Sequence, residues 1–376
     1  MKPKIIALYL PQFHQIPEND EFWGKGFTDW VTVKNAKPLF KGHLQPRIPL
    51  NNNYYDLSIK ENVAWQAKLA KEYGVYGFGI YHYWFNNEKN LLTKPSEIIR
   101  DNNDIDINYF FIWDNANWKR SWSNVYGNSW APVADDPNKS GPQVLIPYIL
   151  GEEPDWEKHY CEVATHFRNE KYIKHNNKPL FGIITFSKDI LKMCEFWNER
   201  AKKDGYNGIE FIFQGDSEEL PNNIMRYSYE PHYSLWINQS IFNRIYYRII
   251  SFAHNCRESR LYDYDRAWKR LLERVSMHPE KTFVPGAFVG YDDSPRRGLK
   301  GSKIVINNDP VKFELYMDQL VSIVEKQDKP YIFLTAWNEW GEGAYLEPDI
   351  INKYSYLSAL KRITRENVIS DDPRTR

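Results

Sequence analysis

Two glutamates three residues apart close an apolar run near the C-terminal end of the sequence. They are Glu339 and Glu342, in the stretch PYIFLTAWNEWGEGAYLEP from Pro330 to Pro348. Paired carboxylates perform general acid–base chemistry when their surroundings push their pKa values apart. If the strand gives way to one helical turn after Glu339, both side chains share a face. Trp337 and Trp340 can desolvate one carboxyl and raise its pKa, making it a proton donor near neutral pH. In glycoside hydrolysis, carboxyls about 5–5.5 Å apart imply retention and a wider gap implies inversion. The spacing in sequence leaves both open. A solvated acidic loop or a metal site is the competing reading, and Gly341 and Gly343 would suit a mobile loop. Two indoles at a strand tip fit a solvent-facing turn poorly.

The elements that must position such a pair are short apolar runs alternating with helical patterns, as in a parallel α/β sheet. Strands are expected at Lys4–Leu10, Tyr76–Phe85, Asn108–Asp114, Pro179–Phe186, Ile209–Gly215, Met225–Pro231, Thr282–Asp292 and Pro330–Trp340. Helices are expected at Asn62–Glu72, Trp156–Asn169, Ile190–Lys203 and Pro310–Lys326. Eight strands separated by helices make a single (β/α)8 barrel the leading architecture, with a doubly wound sheet second. Barrel enzymes keep their active sites where the strands end. The polar and aromatic residues at those ends are Tyr9 and Gln12, His82 and Trp84, Trp113 and Asp114, Gln214, Glu230 and His232, Tyr291 and Asp292. With Glu339 and Glu342 they form the candidate site, and Asn338 and Trp340 join them from the acidic motif. His14, Trp23, Trp30, Trp118 and Trp122 are further candidates for stacking on sugar faces, though each serves equally well as core packing or a loop anchor. The run DDSPRRG adds Asp293, Arg296 and Arg297, either as a clamp for an anionic group or as a salt-bridged loop.

Composition narrows the partners. Among 376 residues, Lys+Arg and Asp+Glu are both 49. A balanced charge argues against nucleic acid, whose phosphates require a basic excess or stripe. Aromatic residues make up 16%, with 14 Trp and 26 Tyr, which suits ligands apolar on one face and hydroxylated on the other. Cys161, Cys194 and Cys256 are scattered and give neither a disulfide framework nor a zinc pattern. The N-terminal apolar run is short and broken by Pro11, so Ile5–Leu10 reads as a strand rather than a signal peptide. No run approaches the ~18 apolar residues of a membrane span. A cytoplasmic protein is expected.

The motifs resemble known ones. AWNEWGEGAYLEP is similar to the catalytic motif of glycoside hydrolase family 99, the endo-α-mannosidase-type barrels. More broadly, the chain resembles the WbsX-type polysaccharide-biosynthesis proteins. The likeness runs through Ala7–Leu50, YGFGIYHYWF and GAFVGYDDSPRRG (Gly286–Gly298) to the glutamate motif, covering most of Ile5–Pro348. It implies a barrel acting on glycosidic bonds without a cofactor, as one catalytic domain over 1–360 with a tail at 361–376. It also implies that Glu339 deprotonates the sugar 2-hydroxyl, which attacks the anomeric carbon to give a 1,2-anhydro sugar. Glu342 would protonate the leaving oxygen and later activate water. In IWDNANWKRSW the family pattern tends to carry Glu where Ala116 stands, and a more basic residue in place of Ser121. That departure bears on sugar preference or on activity.

Two rival readings remain. A nucleotide-sugar transferase would need a glycine-rich turn at a helix start or a metal-clamping Asp-x-Asp after a strand. The sequence DID (Asp104–Asp106) precedes its strand, and the glycines of YGVYGFG open no helix. A transferase using the same carboxylates, with a lipid-linked donor, stays open. So does a carbohydrate-binding barrel with a decayed site. The expected partner is an oligosaccharide or O-antigen-type polysaccharide, carried on lipid in one version. Ser240–Val275 is too long for a simple return and is expected as a helical insertion outside the barrel. Its stripe of Ile241, Phe242, Ile245, Tyr246, Ile249 and Ile250, with Arg244 and Arg248 beside it, is expected to pack on the barrel wall. Peripheral membrane contact is the alternative.

Overall fold

A computed structural model describes residues 2–119, 144–215, 220–237 and 239–364. Trp122, Ser121 and most of the expected tail lie outside them. Nine parallel strands form the barrel: β1 Lys4–Tyr9, β2 Gly77–Asn86, β3 Asn108–Trp113, β4 Lys178–Ile183, β5 Glu210–Gln214, β6 Met225–Tyr227, β7 Phe283–Val284, β8 Gly286–Phe288 and β9 Tyr331–Thr335. They pair in the order β7-β6-β5-β4-β3-β2-β1-β9-β8. Only Pro285 separates β7 from β8, so one chain segment joins both ends of the sheet into a nearly closed ring. The single strand expected at Thr282–Asp292 is therefore two, since proline has no N–H to give the ladder. The carbonyl of Pro285 still accepts from Phe333 N at 3.0 Å.

Register aligns Ile6 with Gly77 on one side and with Phe333 on the other. The first nine residues of β2 are all buried, because a barrel strand meets the interior on one face and the helix layer on the other. Around the ring lie helices Lys60–Glu72, Glu153–Phe167, Lys188–Lys203, Tyr264–Met277 and Pro310–Lys326. Local chemistry starts them where expected. Ser187 accepts from Ile190 N, and Asp309 accepts from Val311 N and Lys312 N, satisfying N-terminal amides that have no helical partner. Among the described residues no helix is long and apolar enough to cross a membrane.

The expected insertion divides in two. Tyr264–Met277 belongs to the barrel's helix layer, with Trp268 stacked on Phe288 of β8 at 5.2 Å. Ile241–Ala253 stands off the barrel, beside the strand Arg260–Asp263, which pairs with Lys303–Ile306 outside the ring. The helix packs through Tyr247 and Ser251, and of the stripe expected to bury only Tyr246 and Ile250 are half-buried against the core. Ile241, Phe242, Ile245 and Ile249 are exposed.

Candidate active site

After β9 the chain turns across the barrel mouth and is pinned on both sides. Trp337 N donates to Leu8 O at 2.7 Å. The Asn338 amide donates to Leu10 O at 2.9 Å and accepts from Leu10 N at 2.8 Å, tying the acidic segment to the end of β1. Asn338–Glu339 then pairs antiparallel with Ala344–Tyr345, and Trp340–Glu342 forms a single 3-10 turn. The helical turn expected after Glu339 is there. The Trp340 ring stacks on Tyr345 at 3.7 Å and its indole N–H donates to Glu347 at 2.6 Å.

The glycines of this segment serve close approach rather than mobility. A Cβ at Gly341 would lie 2.5 Å from Asp29 Oδ2 and 2.7 Å from Arg296 Nε. Gly343 holds φ +56, a left-handed conformation that glycine adopts without a Cβ penalty. Gly341→Ala is expected to cost about 1–3 kcal/mol, the usual scale for forced overpacking. Urea denaturation of the variant beside the wild type checks this, and an unchanged midpoint would contradict it.

Arg296 organises the acids. Its Nη1 donates to Glu342 Oε1 at 2.7 Å, and its Nη2 to Glu339 Oε2 at 3.2 Å and Asp29 Oδ2 at 3.1 Å. One guanidinium thus faces three carboxylates. Fully ionised, the group would carry a net negative charge in a buried place, which favours retention of a proton. Glu339 is the one pushed up. Burial raises its pKa most, the Arg296 charge opposes this, and the negative charges of Glu342 and Asp29 add to the rise.

A cavity of about 310 Å³ opens over the pair. Leu10, Tyr81, Tyr83, Asp114, Ile184 and Gln214 reach it from the ends of β1 to β5, with Gln12 in the loop after β1 and Trp118 in a short strand that pairs with Val144–Ile146. Tyr229 and His232 complete it beyond β6. Burial raises Asp114 to about 6 and lowers His232 to about 4, the latter assisted by the Lys303 charge. Several hydroxyl, carboxyl, amide and aromatic groups converging on one cavity suit a polyhydroxylated ligand.

The candidate residues separate accordingly. Gln12, Asp114, Trp118, Gln214, His232, Arg296, Glu339 and Glu342 come together at the cavity. Others face the helix layer. Tyr9 donates to Gln66 at 2.6 Å, Trp113 donates to the Trp84 carbonyl at 2.8 Å, and Trp84 stacks on His159 at 4.5 Å. His82 meets His159 Nε2 at 2.9 Å. In each strand the residue one place away turns inward instead, because side chains alternate. Glu230 is buried on Ser228 and Ser234. Asp292 is held by Gln45 at 2.6 Å and His43 at 2.8 Å. Burial would raise Asp292, but His43 and Arg47 bring it to about 2. Arg297 pairs with Asp293, so DDSPRRG combines a salt bridge with the Arg296 clamp. Trp30 donates to Tyr55 O and packs against Trp340 at 5.5 Å, supporting the acidic turn from beneath. Trp23 packs on Phe27. Tyr291 packs on Trp236, and His14 is buried away from the cavity. Ala116 is exposed.

Asp29, Tyr81, Tyr83, Tyr229 and Glu347 were absent from the sequence candidates. Glu347 accepts from Tyr55, Gln66 and Trp340 beneath the acidic turn. Burial raises it to about 7 against those hydrogen bonds. Asp29 sits beside the candidate Trp30, and alternation from His82 and Trp84 would have led to Tyr81 and Tyr83.

The buried histidines carry a pH signature of their own. Burial lowers His82 to about 3, and burial together with His82 lowers His159 further. An unfolded chain protonates them near ~6.5. Their contribution to stability is therefore full above that pH and is lost as pH falls toward 3. In a histidine-resolved NMR titration from pH 8 to 5, the ring signals of His82 and His159 should not move. A midpoint near 6.5 for either would contradict the buried pair.

The chain matches the model of the family described as Glycosyltransferase WbsX over residues 5–360. Two relatives from Xanthomonas campestris pv. campestris, strains B100 and ATCC 33913, each bear the description "Uncharacterized protein WxcX" and are 31% identical. Each alignment covers 95% of this chain and 49% of the relative, so the chain spans about half the length of the curated relatives it matches. Among solved structures, a glycoside hydrolase-like protein superposes with TM-score 0.56 at 12% identity, covering 97% of this chain and 94% of that one. The GH99 endo-alpha-mannosidase from Bacteroides thetaiotaomicron gives TM-score 0.52 at 15% identity, covering 96% and 95%. These likenesses establish the shared barrel fold.

Proposed function

The chain belongs to the WbsX glycosyltransferase family, and on that premise we propose that it cleaves or transfers glycosidic bonds of a polysaccharide, with Glu339 and Glu342 as its acid–base pair. The observation that carries this reading is the guanidinium of Arg296 shared by both glutamates beneath a cavity rimmed by Tyr81, Tyr83 and Trp118. A sugar ring stacks on such aromatic faces while its hydroxyls meet the carboxylates.

In this proposal Glu339 takes the proton of the sugar 2-hydroxyl, and that oxygen attacks the anomeric carbon, displacing the glycosidic oxygen. Glu342 protonates the leaving oxygen, so the atoms balance with no enzyme nucleophile. Burial favours the neutral form of Glu339, so desolvation assists the transfer of a proton onto it. Arg296 supplies the charge that keeps a fraction ionised beforehand. A base tuned toward the working pH is the effective arrangement. In the second half, Glu342 deprotonates water for hydrolysis, or an acceptor hydroxyl for transfer, and the 1,2-anhydro sugar opens with retention. The family's description as a glycosyltransferase favours the acceptor route as the second reading.

A panel of O-antigen fragments, each with a 2-O-methyl counterpart, tests the scheme. Parent glycans should give product of retained anomeric configuration by NMR, and the 2-O-methyl forms should be inert. Normal cleavage of 2-O-methyl glycans would remove 2-hydroxyl participation. The ratio of free sugar to new glycoside separates hydrolysis from transfer.

A further inference from the structure

We propose that the helix Ile241–Ala253 docks on an anionic lipid bilayer, placing the barrel mouth at a membrane surface. Ile241, Phe242, Ile245, Ile249 and Phe252 are exposed by 67%, 80%, 52%, 62% and 59%. At about 100° per residue these five positions fall on one arc roughly 100° wide. The helix turns Tyr247 and Ser251 inward, so the apolar arc points away from the protein.

Charge identifies the surface that this arc fits. From Pro231 to Arg257 the chain carries three arginines and no carboxylate side chain. Arg244 and Arg248 border the apolar arc on one edge, and both are exposed. Arg257 lies over the Phe252 ring at 4.3 Å. A large apolar face edged by arginines is the pattern of a helix lying in a lipid interface, where anionic headgroups meet the basic edge.

A second feature lies behind the helix. Trp236, Gln239, Arg244, Tyr247, Arg260 and Tyr262 line a cavity of about 460 Å³ between the helix, the strand Arg260–Asp263 and the segment that precedes the helix. Two arginines with aromatic walls suit a lipid phosphate. This cavity neighbours the catalytic one, since Trp236 packs on His232 at 5.1 Å and His232 lines the site over the glutamates. A bilayer on the helix would therefore present lipid headgroups close to the catalytic opening. The inference goes beyond the glycosidic-bond reading, and its test needs no turnover.

Flotation of the whole chain with vesicles of phosphatidylcholine and phosphatidylglycerol, against phosphatidylcholine alone, is the experiment. The wild type should float with the anionic vesicles and largely stay behind with the neutral ones. Phe242→Asp with Ile249→Asp should weaken binding by about tenfold or more, since both side chains lose their apolar partner. Arg244→Gln should weaken it about fivefold on anionic vesicles only. Because Phe242 and Ile249 are exposed, thermal melting of the Asp variant should match the wild type, so loss of binding would not reflect unfolding. A wild type that ignores anionic vesicles overturns the proposal, as does an Asp variant that floats like the wild type. Light scattering that shows a dimer abolished by the same substitutions, without vesicle binding, would assign the face to a second copy and likewise overturn it.

Discussion

Glu342→Gln is expected to lower turnover of an authentic glycan by about 10²–10⁴-fold, the scale of a positioned proton donor. A substrate with an activated leaving group, such as a glycosyl fluoride, should regain much of that loss because it departs without protonation. Glu339→Gln should fall by a similar factor, and the fluoride should help far less, since the 2-hydroxyl still lacks its base. The substitutions preserve shape, and Gln can accept from the same Arg296 N–H groups that now reach Glu339 and Glu342 at 3.2 Å and 2.7 Å. A difference in response to the leaving group therefore reports the proton and not the packing. Near-native turnover by both variants would remove the pair from the chemistry. Equal rescue of both by the fluoride would leave them catalytic but overturn the division of labour.

Why the pair was legible while much of its surroundings was not follows from strand physics. Glu339 and Glu342 stand in a segment whose carboxylates and glycines interrupt an apolar run, so composition marks the position directly. Along β2 no such mark exists. Its first nine residues are buried, and a strand buried on both faces shows no polar–apolar alternation to say which side is inside. His82 and Trp84 look as ready for a sugar as Tyr81 and Tyr83, yet a one-residue phase sends the first two to the helix layer and the second two to the cavity. Tyr9 and Trp113 face outward by the same rule, while Leu10 and Asp114, each one residue further on, reach the cavity.

The barrel itself was readable because eight apolar runs with helices between them leave few parallel arrangements. What local pattern cannot show is which elements meet. The stripe on Ile241–Ala253 has ideal helical spacing whether its partner is protein or lipid, and only packing through Tyr247 and Ser251 distinguishes the two sides. Asp29 stayed invisible for a similar reason. Its partner Arg296 lies 267 positions away in sequence, and nothing local marks a carboxylate that completes a distant cluster.

Arg296→Met is expected to be the most destabilising single change at the site, by about 3–5 kcal/mol at pH 8, because it leaves buried carboxylates without their cation. The Arg296 side chain is 10% exposed, and those of Asp29 and Glu339 are 0% and 5% exposed, so water cannot take over its role. The pH dependence gives the diagnostic sign. Burial already holds the folded-state pKa of Glu339 at about 8, above its unfolded value, with the Arg296 charge opposing the rise, so losing the guanidinium raises it further. Folded protein then binds more protons than unfolded protein between those values, and stability falls as pH rises through that window. The variant's deficit against wild type should be larger at pH 8 than at pH 4.5, where protonation removes part of the uncompensated negative charge. Adding Asp29→Asn to Arg296→Met should recover part of the loss at pH 8 and little at pH 4.5, since it removes one of the charges that the arginine balanced. Urea midpoints of the wild type, the single variant and the double variant at both pH values measure all of this. A deficit independent of pH would mean that Arg296 acts through its packing volume. A double variant less stable than the single one at pH 8 would mean that the three carboxylates do not share its charge.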